Sequence, residues 1–77
     1  MKINFRLREL RLEKGITQKE LAKDFNVTQA KISRWENRVY DPSLDYIIKF
    51  AAYFNVTMDY LLGLVDGKHE YIISKKK

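Results

Sequence analysis

Apolar residues in this chain recur with a helical period, in short blocks separated by turn residues. Ile3, Leu7 and Leu10 stand at i, i+4 and i+7, and Phe5 and Leu12 widen the same surface. This spacing predicts a first helix over about residues 4–14. Gly15 closes it in the left-handed position common at helix C-termini. Thr17 with Glu20 three residues later forms a capping box. Leu21, Ala22 and Phe25 then make one apolar side of a second helix, about 18–25. Asn26 tolerates a left-handed backbone and can turn the chain sharply. Val27 plugs that turn, and Thr28 caps a third helix. There Thr28, Ile32 and Trp35 at i, i+4 and i+7 face the body of the protein.

After a loop over 38–42, Pro42 and Ser43 announce a fourth helix, about 44–54. Leu44, Ile47, Ile48, Ala51 and Phe54 form its expected core stripe. Tyr46, Phe50 and Tyr53 form a second, aromatic stripe, which at helical spacing reads as core or interface rather than as base-stacking groups. Asn55 and Val56 turn the chain again, Thr57 caps a short fifth helix of about 58–62, and Gly63 ends it. Leu64 and Val65 finish the core or join a partner subunit. Asp66-Gly67 is a turn signal. Glu70 to Ile73 is extended in character and rich in β-formers, but too short to be stable alone. The lysines at 75–77 are expected to form a disordered tail. The pattern predicts an all-α, compact five-helix domain over residues 1–65, with a C-terminal extension or tail over 66–77.

The outer face of the third helix carries the candidate chemistry. Ala30, Ser33, Arg34 and Asn37 stand at i, i+3, i+4 and i+7, flanked by Gln29 and Lys31. The face is small, polar and cationic, and holds no acid. A helix built only for solubility usually mixes both signs. A helix that enters a DNA major groove avoids acids, keeps short side chains for close approach, and carries Gln, Asn, Arg or Lys to reach base edges. The residues by themselves leave both readings open: a DNA-facing surface, or a solvated face that lacks acids.

Composition narrows the choice. A chain of 77 residues is one small domain, near the lower limit for folding on a single core. It has no cysteine, so helix packing must supply the stability, alone or aided by dimerisation. The formal net charge of +5 is uneven. Residues 1–38 carry ten Lys and Arg against five acids, residues 39–67 one lysine against four, and residues 68–77 four lysines against one. The surplus coincides with the second and third helices and the helix that leads into them, as suits a polyanion on one side of the domain. No apolar run approaches the roughly 20 residues that span a bilayer, and no signal-peptide pattern opens the chain, so a cytoplasmic protein without membrane contact is expected. His69 is the sole histidine and has no cysteine to join it in a metal site. Ser33, Ser43 and Ser74 find no catalytic partners, and Gly15, Gly63 and Gly67 are too scattered to cradle a phosphate. Neither enzyme chemistry nor a cofactor is expected, and His69 reads as an exposed residue.

Residues 18–37 resemble the helix-turn-helix of the phage-repressor-like (Xre, or Cro and repressor) family. Gln18 opens the first helix of the motif, Leu21 and Ala22 are its aliphatic and small residues, and Val27, Ile32 and Trp35 occupy its core positions. Trp-Glu-Asn at 35–37 closes the second helix. Asn26 stands where the family often has glycine. The resemblance extends to Leu-Arg-Glu-Leu-Arg at 7–11, Asp-Pro-Ser-Leu at 41–44 and Asp-Tyr-Leu-Leu-Gly at 59–63, and so covers most of the chain. It implies a lambda-repressor-like fold and sequence-specific binding of double-stranded DNA, with the third helix in the major groove. Arg34, Gln29 and Lys31 then become the leading base-edge readers, Ala30 meets a thymine methyl, and Thr28, Ser33 and Asn37 take bases or phosphates. Gln18, Arg38 and Lys19 position the DNA backbone, with solubility an equal explanation for Lys19 and Lys23. An ion pair between Arg11 and Glu36, often seen at these positions in the family, would fix the third helix. The implied function is transcriptional regulation, as a repressor on a palindromic operator, with a homodimer formed at least on DNA. Candidate dimer surfaces are the aromatic stripe of the fourth helix, the fifth helix with Leu64, and residues 71–73. Two other readings remain: a DNA-binding antitoxin or restriction-system controller with a protein partner, and an interaction module without specific DNA binding.

Overall fold

A computed structural model describes residues 4–72. Five helices follow one another: α1 (Leu7–Lys14), α2 (Gln18–Asp24), α3 (Gln29–Glu36), α4 (Leu44–Phe54) and α5 (Met58–Leu61), with no strand among the described residues. Helix α3 packs closely against α2 and also touches α1, while α4 packs on α5. Leu7, Leu21, Ile32, Phe50 and Leu61, one residue from each helix, are completely buried and define the core. Trp35 joins them, its ring 5.6 Å from Phe50 and 5.0 Å from Tyr46.

Every helix ends in the same way. Gly15, Asn26, Arg38, Asn55 and Gly63 all adopt positive φ, between 55° and 77°. The residue after each donates its N–H five residues back, from Ile16 to Arg11, Val27 to Ala22, Val39 to Arg34, Val56 to Ala51 and Leu64 to Asp59. These bonds satisfy carbonyls that a helix end leaves without partners. The sequence Phe-Asn-Val-Thr occurs at two of these corners, 25–28 between α2 and α3 and 54–57 between α4 and α5. In both, threonine caps the next helix: Thr28 accepts from the Lys31 N–H and Thr57 from the Tyr60 N–H.

Three expectations are corrected. First, α1 begins at Leu7 rather than near residue 4. The Asn4 N–H donates to the Leu62 carbonyl at 3.0 Å and the Arg6 N–H to the Leu61 carbonyl at 2.8 Å, so the leading residues run across the open end of α5 instead of coiling. The Arg6 guanidinium secures the crossing: it donates to the carbonyls of Tyr60 and Val65 and lies 4.3 Å from the Tyr60 ring centre. Ile3, read as part of the first helical stripe, lies outside the described residues, as do Ile73 and the lysines at 75–77. Second, the aliphatic stripe of α4 enters the core only in part, while the aromatic stripe, expected as core or interface, supplies a fully buried ring. Phe50 is buried from the aromatic stripe, and Leu44 and Ile48 of the aliphatic stripe are 65% and 48% exposed. Aromatic rings carry more apolar area and pair with one another, and Phe25 and Trp35 offer rings only to that side. The aromatic stripe is therefore turned into the fold, not outward as a free surface. Third, Leu12 is exposed rather than part of the core. Helices α2 and α5 also end one residue early, within the usual latitude of helix ends.

Candidate nucleic-acid interface

The α2–α3 corner is fixed by its own sequence. The Thr17 hydroxyl accepts from the Glu20 N–H at 3.0 Å, and the Glu20 carboxylate accepts from the Thr17 N–H at 2.8 Å, completing the capping box. Asn26 takes the left-handed turn with φ 55°. Ile32 and Trp35 sink into the core. Thr28, expected to face the body of the protein with them, is instead exposed at the N-cap. Gln29, Ala30 and Arg34 are exposed along α3 with Ser33 half-buried between them, and Asn37 is exposed at its C-cap. Asn37 folds back on the helix end, its amide donating to the Ser33 carbonyl at 2.9 Å and reaching the Ser33 hydroxyl at 3.3 Å. Lys31 stands on the flank, half-buried, with its ammonium 5.9 Å from the Trp35 ring centre. Lys19 on α2 and Arg38 just beyond α3 are exposed.

Helix α3 does contain one acid, and the fold removes it from the outer face. The Glu36 side chain is 1% exposed. Arg11 grips it twice, Nε to Oε2 at 2.6 Å and Nη2 to Oε1 at 3.2 Å, and Gln18 Nε2 donates to Oε1 at 3.0 Å. Arg11 gives its remaining terminal nitrogen to the Ile16 carbonyl at 2.9 Å. The expected Arg11–Glu36 pair is thus present, bidentate and buried. Two parallel N–H to oxygen bonds fix orientation as well as distance, so α3 is held at a set angle to α1.

The same network continues to the exposed face. With its nitrogen given to Glu36, Gln18 turns its Oε1 toward Gln29, whose Nε2 donates at 3.4 Å. A chain of polar side chains thus runs from α1 through Glu36 and Gln18 to the first turn of α3. No local pattern along the chain signals this coupling, because Gln18 and Glu36 meet only once α2 and α3 are packed. Nor does any signal that the Tyr53 hydroxyl donates to Asp24 Oδ2 at 2.7 Å, tying α4 to the end of α2. Two surface clefts, of about 270 and 250 Å³, are lined by other elements and include no α3 residue. Among the described residues no cluster of His, Cys, Asp or Glu could hold a metal ion, and no helix is long and apolar enough to cross a membrane.

Two short helices joined by a tight left-handed turn, the second presenting an acid-free polar face, define a helix-turn-helix DNA-binding module. The chain belongs to the helix-turn-helix family, which it matches over residues 7–61. It is 40% identical over 63 residues to the HTH-type transcriptional regulator ImmR of Bacillus subtilis (strain 168), covering 82% of this chain and 50% of that protein. It is 36% identical over 63 residues to the HTH-type transcriptional activator BcrR of Enterococcus faecalis, covering 82% and 31%. An HTH-type transcriptional regulator of Archaeoglobus fulgidus is 41% identical over 54 residues, 70% of this chain and 77% of that one. The chain therefore spans half or less of the length of ImmR and BcrR. The family is one of DNA-binding transcriptional regulators, not enzymes.

Proposed function

We propose that α3 lies in the major groove of a specific duplex and that the protein represses transcription from a palindromic operator, bound as a homodimer. One observation carries this reading: the exposed face of α3 holds no acid, because its single carboxylate is buried against Arg11 and Gln18. Arg34 and Gln29 read base edges, Ala30 meets a thymine methyl, and Thr28, Ser33 and Asn37 contact bases or adjacent phosphates. Lys31, on the flank, reads a base at the groove edge. Lys19 and Arg38 meet phosphates on either side, with Gln18 at the first turn of α2. The surplus of cations in residues 1–38 supports a polyanion on this side. Repression follows from occupancy, since a module seated on a promoter excludes other proteins from it. The site of action is the cytoplasm, where bacterial and archaeal DNA lies.

Selection of duplexes from a random pool at near-physiological salt, followed by sequencing, tests this reading. Enrichment of a two-fold symmetric motif is expected, with half-sites about one helical turn apart. Binding that enriches nothing and vanishes as salt rises would reduce the charge surplus to non-specific attraction. A reporter placed behind the selected motif then gives the sign of regulation: its output falls when a repressor is supplied and rises with an activator.

A further inference from the structure

Eight large apolar residues are exposed among the described residues, and four of them, Val39, Tyr40, Leu44 and Ile48, lie between positions 39 and 48. Leu44 and Ile48 are one helical turn apart on α4, and the exposed Ala52 continues the row by another turn. The core makes no use of this row, since α4 buries Phe50 and Ala51 instead. Asp45 and Lys49, both exposed, run along its edge. The row lies on the helix that follows α3 in the chain, on residues other than the Tyr46 and Phe50 that meet Trp35.

The row suits a second copy of itself. A two-fold contact must be self-complementary. When two α4 helices cross antiparallel with Ile48 on the axis, Leu44 of each, four residues before it, meets Ala52 of the other, four residues after it. Large thus faces small at both ends, which lets the helices approach closely. The same crossing brings Asp45 of each copy within a turn of Lys49 of the other, so opposite charges meet twice. We propose that the Leu44–Ile48–Ala52 row, edged by Asp45 and Lys49, is the face through which two copies of this chain pair on DNA. The proposal rests on the DNA-binding reading above and adds the place of the two-fold axis. A contact of two short helix faces is small beside the interfaces of stable dimers, so pairing is weak in the free protein and is completed on a two-fold site.

Charge exchange tests it. Asp45→Lys places lysine against Lys49 twice in a homodimer, and Lys49→Asp places aspartate against Asp45 twice. Each variant alone is expected to sediment as a monomer at concentrations where the wild type exceeds its monomer mass of 9.2 kDa. An equimolar mixture of the two is expected to associate, because the mixed pair restores both attractions. The chain has no cysteine, so Ile48→Cys introduces a single thiol. On the two-fold axis it should oxidise to a covalent dimer much faster than Leu12→Cys, which is exposed on α1. Each charge variant should bind a half-site duplex as the wild type does and lose about tenfold or more on the full two-fold duplex. A mixture no more associated than its components, or equal cross-linking of both thiols, would overturn the proposed face. Unchanged affinity of the charge variants for the full duplex would do the same and leave the DNA reading standing. If the wild type binds no duplex, the DNA reading fails, and the free-protein measurements still decide the face.

Discussion

Glu36 shows how one side chain settles the character of a surface. An ionised carboxylate with 1% exposure is tolerable only because Arg11 and Gln18 supply three hydrogen bonds to it. Such a pair is poor evidence of net stability, but breaking it strands a buried charge. Arg11→Met is expected to cost about 3–5 kcal/mol in urea denaturation, and Arg11→Met with Glu36→Leu much less than the sum of the single losses. Additive effects in that double-mutant cycle would show that the pair does not lock α3. Tyr53 makes a second residue-scale case. Burial first, and then its hydrogen bond to Asp24, push its pKa from the usual 10.0 up to about 12. The fold therefore favours the neutral phenol. The stability this gives is full below pH about 10 and is lost as pH rises through about 12. In a tyrosinate absorbance titration the Tyr53 phenol should ionise late. Asp24→Ala should bring it only part of the way back, because burial is the larger cause.

The two Phe-Asn-Val-Thr corners show what an element inherits from local sequence. Counting from the shared asparagine, Leu21 matches Phe50, Ala22 matches Ala51 and Ile32 matches Leu61, and each of these six is buried. The same tetrapeptide makes the same turn and the same threonine cap. The surroundings of the two caps differ. Thr28 is exposed and opens α3, while Thr57 is buried under residues 68–70, its N–H donating to the Lys68 carbonyl and its hydroxyl to the Glu70 carbonyl. Lys68 also reaches Glu13 on α1 at 2.8 Å, and that carboxylate holds the ammonium above the ordinary lysine range. The left-handed helix ends give a direct comparison. Gly15 and Gly63 have nearly the same φ, 76° and 77°, but a Cβ on Gly15 would meet nothing within 4 Å. A Cβ on Gly63 would come within 2.7 Å of the Asn4 Cβ. Gly15→Ala is therefore expected to cost about 1 kcal/mol from backbone strain, and Gly63→Ala measurably more, because the leading segment must also move. Equal shifts in denaturation midpoint would mean that residues 4–6 yield freely.

At the scale of the molecule, charge and shape divide the work. The cationic surplus lies with α1 to α3, and the segment 39–67 is net acidic. Such polarity favours a polyanion partner on the α1–α3 part of the chain. Arg34 and Arg38 should separate the two kinds of contact. Arg34→Ala is expected to relax preference at one base pair, worth about 1–3 kcal/mol across a panel of duplexes. Arg38→Ala should weaken all duplexes alike and lower the slope of log affinity against log salt by about one unit. If both mutants weaken every sequence equally, Arg34 is a backbone contact as well. Substitutions at Arg11 on α1 and Gln18 on α2 should also report on DNA binding, since both bond Glu36 and Gln18 leads on to Gln29.

Local rules decide much of this chain. The helices, their threonine caps, the left-handed turns at Gly15, Asn26, Asn55 and Gly63, and the outer face of α3 all depend on residues within a few positions of one another. Such features follow from backbone sterics and helical period, which the sequence states directly. Three things waited for the tertiary structure. Which side of α4 is buried depended on rings brought to it by α2 and α3, since both of its stripes are apolar. Where α1 starts depended on the carbonyls at the end of α5, 50 and more residues away, which capture the N–H groups of Asn4 and Arg6. The linkage of Gln18 to both Glu36 and Gln29 depended on the crossing of α2 over α3. In each case the deciding partner lies on another element, so no window along the chain contains it.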